Sequence, residues 1–219
     1  MILSWLLKTI FPPKCVLCAA VLAKNETDFC QNCRQNAPEC EKSHFRFSFL
    51  AGWTAVWYYK DMVKGSIRRY KFYHRRHYAS AYGRKLAMKL QSDGPKDFDI
   101  LTFVPIAPLR RAYRGYDQVA LLAKAVGREL DITPCRTLRK IRNTPPQSGI
   151  TDPARRRANV LGAYKAVSPE LVCGKRILLL DDVITTGATA SECARVLLTA
   201  GAKEVHFAAL AVSNHKNSR

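Results

Sequence analysis

Two stretches of this 219-residue chain hold residues whose types and spacing could do chemistry. The first is a cysteine cluster. Cys15 and Cys18, then Cys30 and Cys33, form the pattern C-x2-C-x11-C-x2-C, two short knuckles whose paired thiolates can close a tetrahedron around zinc. Zinc takes four soft ligands and gains most when short loops hold them in pairs; redox thiols are the competing reading. Cys40 has no partner knuckle and is not counted as a ligand. Cys135, Cys173 and Cys193 are scattered singly and read as ordinary buried small residues.

The second stretch is LLLDDVITTGATASE, Leu178 to Glu192. Its leucines read as a buried strand and its glycine as a turn, but neither explains an acid pair followed by hydroxyls and small residues. In an open parallel sheet, ligands sit at the carboxyl ends of strands, where a following helix presents unsatisfied amides. On that layout Asp181 and Asp182 emerge at the strand end, and Thr185, Thr186, Gly187, Ala188 and Thr189 wrap into the helix start as an anion cradle. Gly187 permits tight backbone approach and a positive φ. The carboxylates would repel a phosphate placed directly on them, so they suit vicinal hydroxyls one step away. A ribose carrying a 5′-phosphate has both groups. There is no Walker lysine motif and no G-x-G-x-x-G after a strand, which weakens nucleoside triphosphate and dinucleotide readings.

The elements that must position these groups follow from apolar spacing. Residues 46–60 are aromatic and β-branched around Gly52 and read as a hairpin or a pair of short strands. From Met62 through Ser92 there is no carboxylate. Val63, Ile67 and Tyr70, then Tyr82, Leu86 and Leu90, recur at helical spacing, predicting two amphipathic helices with cationic outer faces. After the linker SDGPKD, Ile100 to Val104 is a short buried strand and Asp117 to Leu130 a helix. RKIRNTPPQSGITDPARRRANV has no apolar period and reads as an excursion, a mobile flap. Strand Arg176 to Leu180, helix Thr189 to Ala200 and strand Val205 to Val212 then make a parallel α/β unit. The expected division is 1–45 for an N-terminal helix and cysteine module, 46–92 for a basic aromatic hood or connector, and 93–219 for the core domain.

Composition bounds the partners. Hydrophobic residues make up 47% of the chain, which is globular rather than disordered. Lys and Arg outnumber Asp and Glu by 36 to 17, a net charge of +19 that favours nucleic acid, nucleotide phosphates or an acidic membrane surface. The apolar opening MILSWLLKTIFPP is interrupted by Lys8 and stopped by Pro12, too short to span a bilayer and without a cleavage site; Leu3, Leu6, Leu7 and Ile10 predict a short packing helix. A cytoplasmic protein is expected. Tyr70, Phe72, Tyr73 and Tyr78 interleave with Lys64, Arg68, Arg69, Lys71, Arg75 and Arg76, as a single-strand nucleic-acid surface requires.

ILLLDDVITTGATASE resembles the phosphoribosyl pyrophosphate (PRPP) binding signature of type I phosphoribosyltransferases. The wider chain resembles the ComF family, the competence-associated phosphoribosyltransferase-like proteins, in its cysteine knuckles, VPIAPLRRAYRGYDQ, NTPPQSG, RRRANVLGAY and the signature. The resemblance implies an α/β fold: a Rossmann-like parallel sheet of the type I phosphoribosyltransferase class behind a small zinc-ribbon-like module. It implies that Asp181 and Asp182, the candidate catalytic pair, hold the ribose hydroxyls, and that Thr185 to Thr189 hold the 5′-phosphate. Val104, Pro105, Ile106 and Ala107 match the pyrophosphate loop. Arg111, Arg114, Tyr116, Asp117 and Gln118 match the arginine-rich segment, and Gln147, Arg156 and Arg157 the flap. Thr185 stands where purine-salvage relatives carry an Asp that assists proton transfer.

Displacing pyrophosphate from the sugar passes through an oxocarbenium-like state and needs the departing charge stabilised, which magnesium chelated by the pyrophosphate can do. No acceptor pocket is recognisable in the sequence. The implied cofactors are structural zinc and magnesium with PRPP; the implied partners are single-stranded DNA and competence machinery proteins. The expected function is a PRPP- and DNA-handling competence factor, with a nucleotide-salvage transferase and a PRPP-sensing regulator as alternatives.

Overall fold

The computed structural model describes residues 11–41, 46–143 and 152–213, with the side chains of 153, 154, 156 and 157 also left undescribed. The expected helix through Leu3 to Ile10, and Gln147, Arg156 and Arg157 of the flap, therefore lie outside the described residues and side chains.

Four parallel strands form the central sheet in the order β1-β6-β5-β2, with β1 at Gly52–Tyr58, β2 at Ile100–Phe103, β5 at Arg176–Ile184 and β6 at Glu204–Val212. The sequence of β5 explains its central place. Leu178 and Leu180 bury on one face and Ile177 and Leu179 on the other, so the strand is covered on both sides and reads as a continuous apolar run. One cover consists of α2 (Asp61–Phe72), α3 (Tyr78–Asp93) and α5 (Gln118–Glu129). The opposite cover is α8 (Ala188–Thr199), which follows the short helix α7 (Pro169–Val172), with a two-stranded antiparallel ribbon of β3 (Leu138–Lys140) and β4 (Tyr164–Ala166).

The expected hairpin at 46–60 is a single strand. Its alternating residues pair with β6 in register, Trp53 opposite Phe207 and Trp57 opposite Ala211, so the partner that decides its form comes from the far end of the chain. The stretch read as a mobile flap, 139–160, starts on the end of β3 and finishes as the helix α6 (Pro153–Val160), with β4 following it; three-residue strands are too short to show a period. α3 and α5 cross closely because Gly83 has no Cβ: one built there would lie 2.4 Å from the Ala125 Cβ.

The cysteine segment is a compact turn structure with one short helix, α1 (Gln31–Asn36), and an isolated bridge between Lys14 and Val21. It docks on the helices. Ser66 Oγ donates to the Val16 carbonyl at 2.5 Å, Arg69 Nη2 to the Leu17 carbonyl at 2.6 Å, and Arg84 clasps Asp28 at 2.7 Å. Leu17 and Cys33 share one apolar cluster with Trp57, Tyr70, Tyr82 and Leu122.

Candidate functional site

Strand β2 ends beside Leu180, while β5 runs on to Ile184. Phe103 is opposite Leu180, and the Val104 amide donates to the Leu180 carbonyl at 2.9 Å, so the loop Val104 to Ala107 leaves the sheet beside Asp181. Pro105 follows, and Ala107 is the N-cap of α4 (Pro108–Arg114), which carries Arg111 exposed and Arg114 half-buried with its guanidinium 4.8 Å from the Phe72 ring centroid. Val104, Pro105 and Ala107 are buried and Ile106 is half-buried.

The acid pair is not where a strand ending at Leu180 would put it. β5 continues to Ile184, so Asp181 and Asp182 are strand residues and point to opposite faces. Asp182 turns toward the helices: Lys71 Nζ lies 2.7 Å from its Oδ1, and Gln118 Nε2 donates to its Oδ2 at 3.0 Å. Tyr70 supports this pair by donating its hydroxyl to the Gln118 carbonyl at 2.6 Å, and the Tyr116 hydroxyl donates to the Tyr70 carbonyl. Gln118 Oε1 is buried without a hydrogen-bond partner, an acceptor left over beside the carboxylate.

Asp181 turns toward the other cover, where its charge acts on Tyr164, Cys193 and Lys140. Desolvation, and then the neighbouring Asp182 carboxylate, push Asp181 up to about 8. Lys140 is itself buried, its ammonium 5.1 Å from the Tyr164 ring centroid; desolvation and then the Arg110 guanidinium bring it down to about 8.

Beyond β5 the chain bends through Thr185 and Thr186 to Gly187, the N-cap of α8, at φ +75°. The N-cap glycine offers no side chain to the first turn of this twelve-residue helix, where the Ala188 amide donates to Thr186 Oγ1 at 3.5 Å and the positive dipole end faces the loop. The glycine's second reason differs from the expected one. A Cβ at Gly187 would lie 2.0 Å from Phe47 Cδ1, so the close approach it permits is that of an aromatic ring on the core side of the loop.

The described fold thus places Asp181, Asp182, Val104 to Ala107 and Thr185 to Thr189 toward the carboxyl end of the parallel strands, with Arg111 and Arg114 on the helix that follows the first loop. Lys71, Tyr70 and Lys140 belong to the same neighbourhood, which their sequence context does not show. Lys71 reads in sequence as one more cation of a solvated face, and only the carboxylate-free run around it hinted at an unpaired partner elsewhere. Asp117, matched to the arginine-rich segment, caps α5: its Oδ1 accepts from the amides of Val119 and Ala120 at 3.0 Å.

The aromatic stretch divides. Tyr70 and Tyr78 are core residues, packed edge-on against Tyr82, and are corrected from the expected stacking surface; Phe72 and Tyr73 are 51% and 63% exposed. Helical spacing turns Tyr70 inward with Val63 and Ile67, whereas Phe72 and Tyr73 close the helix outside it. Cys193 is buried as expected, but Cys135 is half-buried and Cys173 exposed, because both lie on connecting segments.

The four expected metal ligands come together: the sulfurs of Cys15, Cys18, Cys30 and Cys33 all lie within 4.8 Å of one another. Cys18 and Cys30 are 3.7 Å apart, and a tetrahedral zinc–thiolate centre has sulfur–sulfur edges of about 3.8 Å. The Cys30 amide donates to Cys15 Sγ at 3.3 Å. Burial would raise Cys15, but amide hydrogens from Cys18 and Cys30 outweigh it and bring the thiol down to about 7, readying it as a ligand. Cys40 is buried against β1, donating to the Glu41 carbonyl, apart from the cluster. Among the described residues no other group of three or more metal-ligating side chains converges.

Residues 115–219 match the family described as the phosphoribosyl transferase domain, and the parallel sheet with a strand-end loop entering a helix N-terminus agrees with a type I phosphoribosyltransferase domain. Beyond that domain, the chain is similar over about nine-tenths of its length to competence and DNA utilization proteins. Competence protein F of Haemophilus influenzae is 27% identical over 91% of this chain and 84% of its own length. Competence protein ComFC of Streptococcus pneumoniae is 26% identical over 88% of this chain and 96% of its own. The DNA utilization protein YhgH of Escherichia coli O157:H7 is 28% identical over 89% and 94%. No helix among the described residues is long and apolar enough to cross a membrane.

Proposed function

We propose that this chain binds PRPP at the strand-end site and handles single-stranded DNA, as a ComF-type competence factor with a structural zinc ion. The observation that carries the PRPP reading is the placement of Asp181 and Asp182 on the strand that leads directly into the glycine-capped start of α8. The loop amides and helix dipole suit the 5′-phosphate, and the carboxylates and the spare Gln118 acceptor suit ribose hydroxyls. The Val104 to Ala107 loop, with Arg111 and Arg114, would face the pyrophosphate. Magnesium would arrive with the pyrophosphate, since it keeps most of its own water and needs few protein ligands. The cysteine cluster, a set of four soft donors, suits zinc, which would fasten the N-terminal segment onto α2 and α3.

The DNA reading rests on the net charge of +19, on exposed Phe72 and Tyr73 among cations, and on relatives named for competence and DNA utilization. A cytoplasmic location goes with it.

Calorimetric titration of magnesium PRPP tests the donor site. Thr186→Glu places a carboxylate in the loop, and an affinity loss of about tenfold or more is expected from the unpaired like charge. Undiminished binding by the folded variant refutes the site. For DNA, Phe72→Ala should cost on the order of 1 to 3 kcal/mol per stacked base with little change in salt slope, whereas charge removal at Arg68 and Arg75 should flatten the slope. Normal binding by Phe72→Ala and Tyr73→Ala leaves only a nonspecific basic surface.

A further inference from the structure

We propose that the groove between α3 and α5 is a second ligand site, shaped for a free nucleoside monophosphate and separate from the strand-end loops. The concavity measures about 750 Å³, within the range of small-molecule sites, and no residue of the loops at 104–107 or 185–189 lines it. One wall is apolar, formed by Leu121 of α5 and by Ile132 and Pro134 in the turn after it. That turn is held against the helix: a Cβ at Gly127 would lie 2.3 Å from the Ile132 carbonyl oxygen.

The rim is cationic. Arg76, Lys124 and Arg128 line it against a single carboxylate, Asp131. Lys124 and Arg128 are exposed, and among the described residues neither forms an ion pair. Arg76 is fixed in place by donating to the Gly115 carbonyl at 3.0 Å and by lying 4.9 Å from the Tyr116 ring centroid. The Ser80 and Thr133 hydroxyls complete the lining, with Ser80 in the first turn of α3, where the helix dipole also favours an anion.

This combination selects the ligand class. A bare phosphate would leave the apolar wall in water, and an apolar compound would leave the cations unmatched. A flat base against Leu121, Ile132 and Pro134, a sugar near the two hydroxyls, and a phosphate on Lys124 and Arg128 satisfy all three sets of groups. A nucleic-acid strand fits less well. Sequence-tolerant strand binding uses successive aromatic platforms, and the groove contains no Phe, Tyr or Trp; exposed Phe72, Tyr73 and Tyr113 lie outside it.

The test titrates a fluorescent AMP, carrying a methylanthraniloyl group on the ribose, into the full chain with and without saturating magnesium PRPP. Saturable binding that persists with PRPP present and in Thr186→Glu, and weakens about tenfold or more in Lys124→Glu with Arg128→Glu, is the expected result. Both reversed positions are exposed, and circular dichroism checks that the variant is folded. Absence of saturable binding, indifference to the double reversal, or displacement by PRPP overturns the proposal. So does binding of a thymidine oligonucleotide that depends on Lys124 and Arg128 while the labelled AMP does not bind. Loss of PRPP binding in Thr186→Glu is read in a separate titration, so either site can fail without the other.

Discussion

Lys71 Nζ lies 2.7 Å from Asp182 Oδ1, joining the last turn of α2 to the central strand β5 across 111 positions of sequence. The contact turns a cation of an apparently solvated face into the counter-charge of a carboxylate whose side chain is 7% exposed. Replacing Lys71 by Met should leave Asp182 with Gln118 alone and destabilise the fold by on the order of 2 to 4 kcal/mol, less than a fully buried pair because Lys71 keeps some contact with water. Adding Asp182→Asn to Lys71→Met should recover part of that loss. Urea unfolding of the single and double variants measures it, and equal stability of Lys71→Met and the wild type contradicts the pairing.

The raised Asp181 carboxyl gives a pH signature. The folded state keeps its proton up to about 8, while the unfolded chain releases it in the ordinary carboxylate range near 4. Stability from this group is therefore fully present below about pH 4, declines as pH rises, and levels off above about pH 8. Asp181→Asn lacks the titration. Its stability relative to the wild type should rise between pH 4.5 and 8.5 by on the order of 2 to 4 kcal/mol, after allowance for partial solvent access. Parallel stability profiles for the two proteins would exclude the raised carboxyl.

Gly187 is held by both its φ of +75° and the Phe47 ring. Gly187→Ala should cost on the order of 2 to 4 kcal/mol, combining backbone strain with a steric clash. Phe47→Ala removes the clash but not the strain, so the double variant should lose less than the sum of the two single losses. A strictly additive double-mutant cycle shows that the ring and the glycine do not meet.

Metal content follows from the four converging sulfurs. Purified protein should hold about one zinc ion per chain, lost in Cys15→Ser with Cys30→Ser. Chelation should lower the unfolding temperature and increase hydrogen exchange at the amides of residues 15–33. Full zinc retention by the double variant would exclude this ligand set. Cys40→Ser, away from the cluster, should leave the metal in place.

Short-range patterns were enough for much of this protein. The knuckle spacing named the four cysteines that converge, because two-residue gaps confine paired thiolates whatever the rest of the chain does. The run from Leu178 to Leu180 marked a strand buried on both faces, and the small polar residues after it marked the loop into α8. What sequence could not show depended on partners distant along the chain. The 46–60 segment became one strand because β6, about 150 residues later, was available to pair with it. Tyr70 was drawn inward by Tyr82 and Gln118, although its immediate neighbours Arg69 and Lys71 suggested a surface. The acid pair separated for the same reason: pairing with β6 carried β5 through Asp181 and Asp182, and strand geometry then sent adjacent side chains to opposite faces. Local spacing determines which groups are candidates, because it acts through a few bonds; tertiary packing determines which of them meet, because burial and charge pairing act through space between segments the chain order keeps apart.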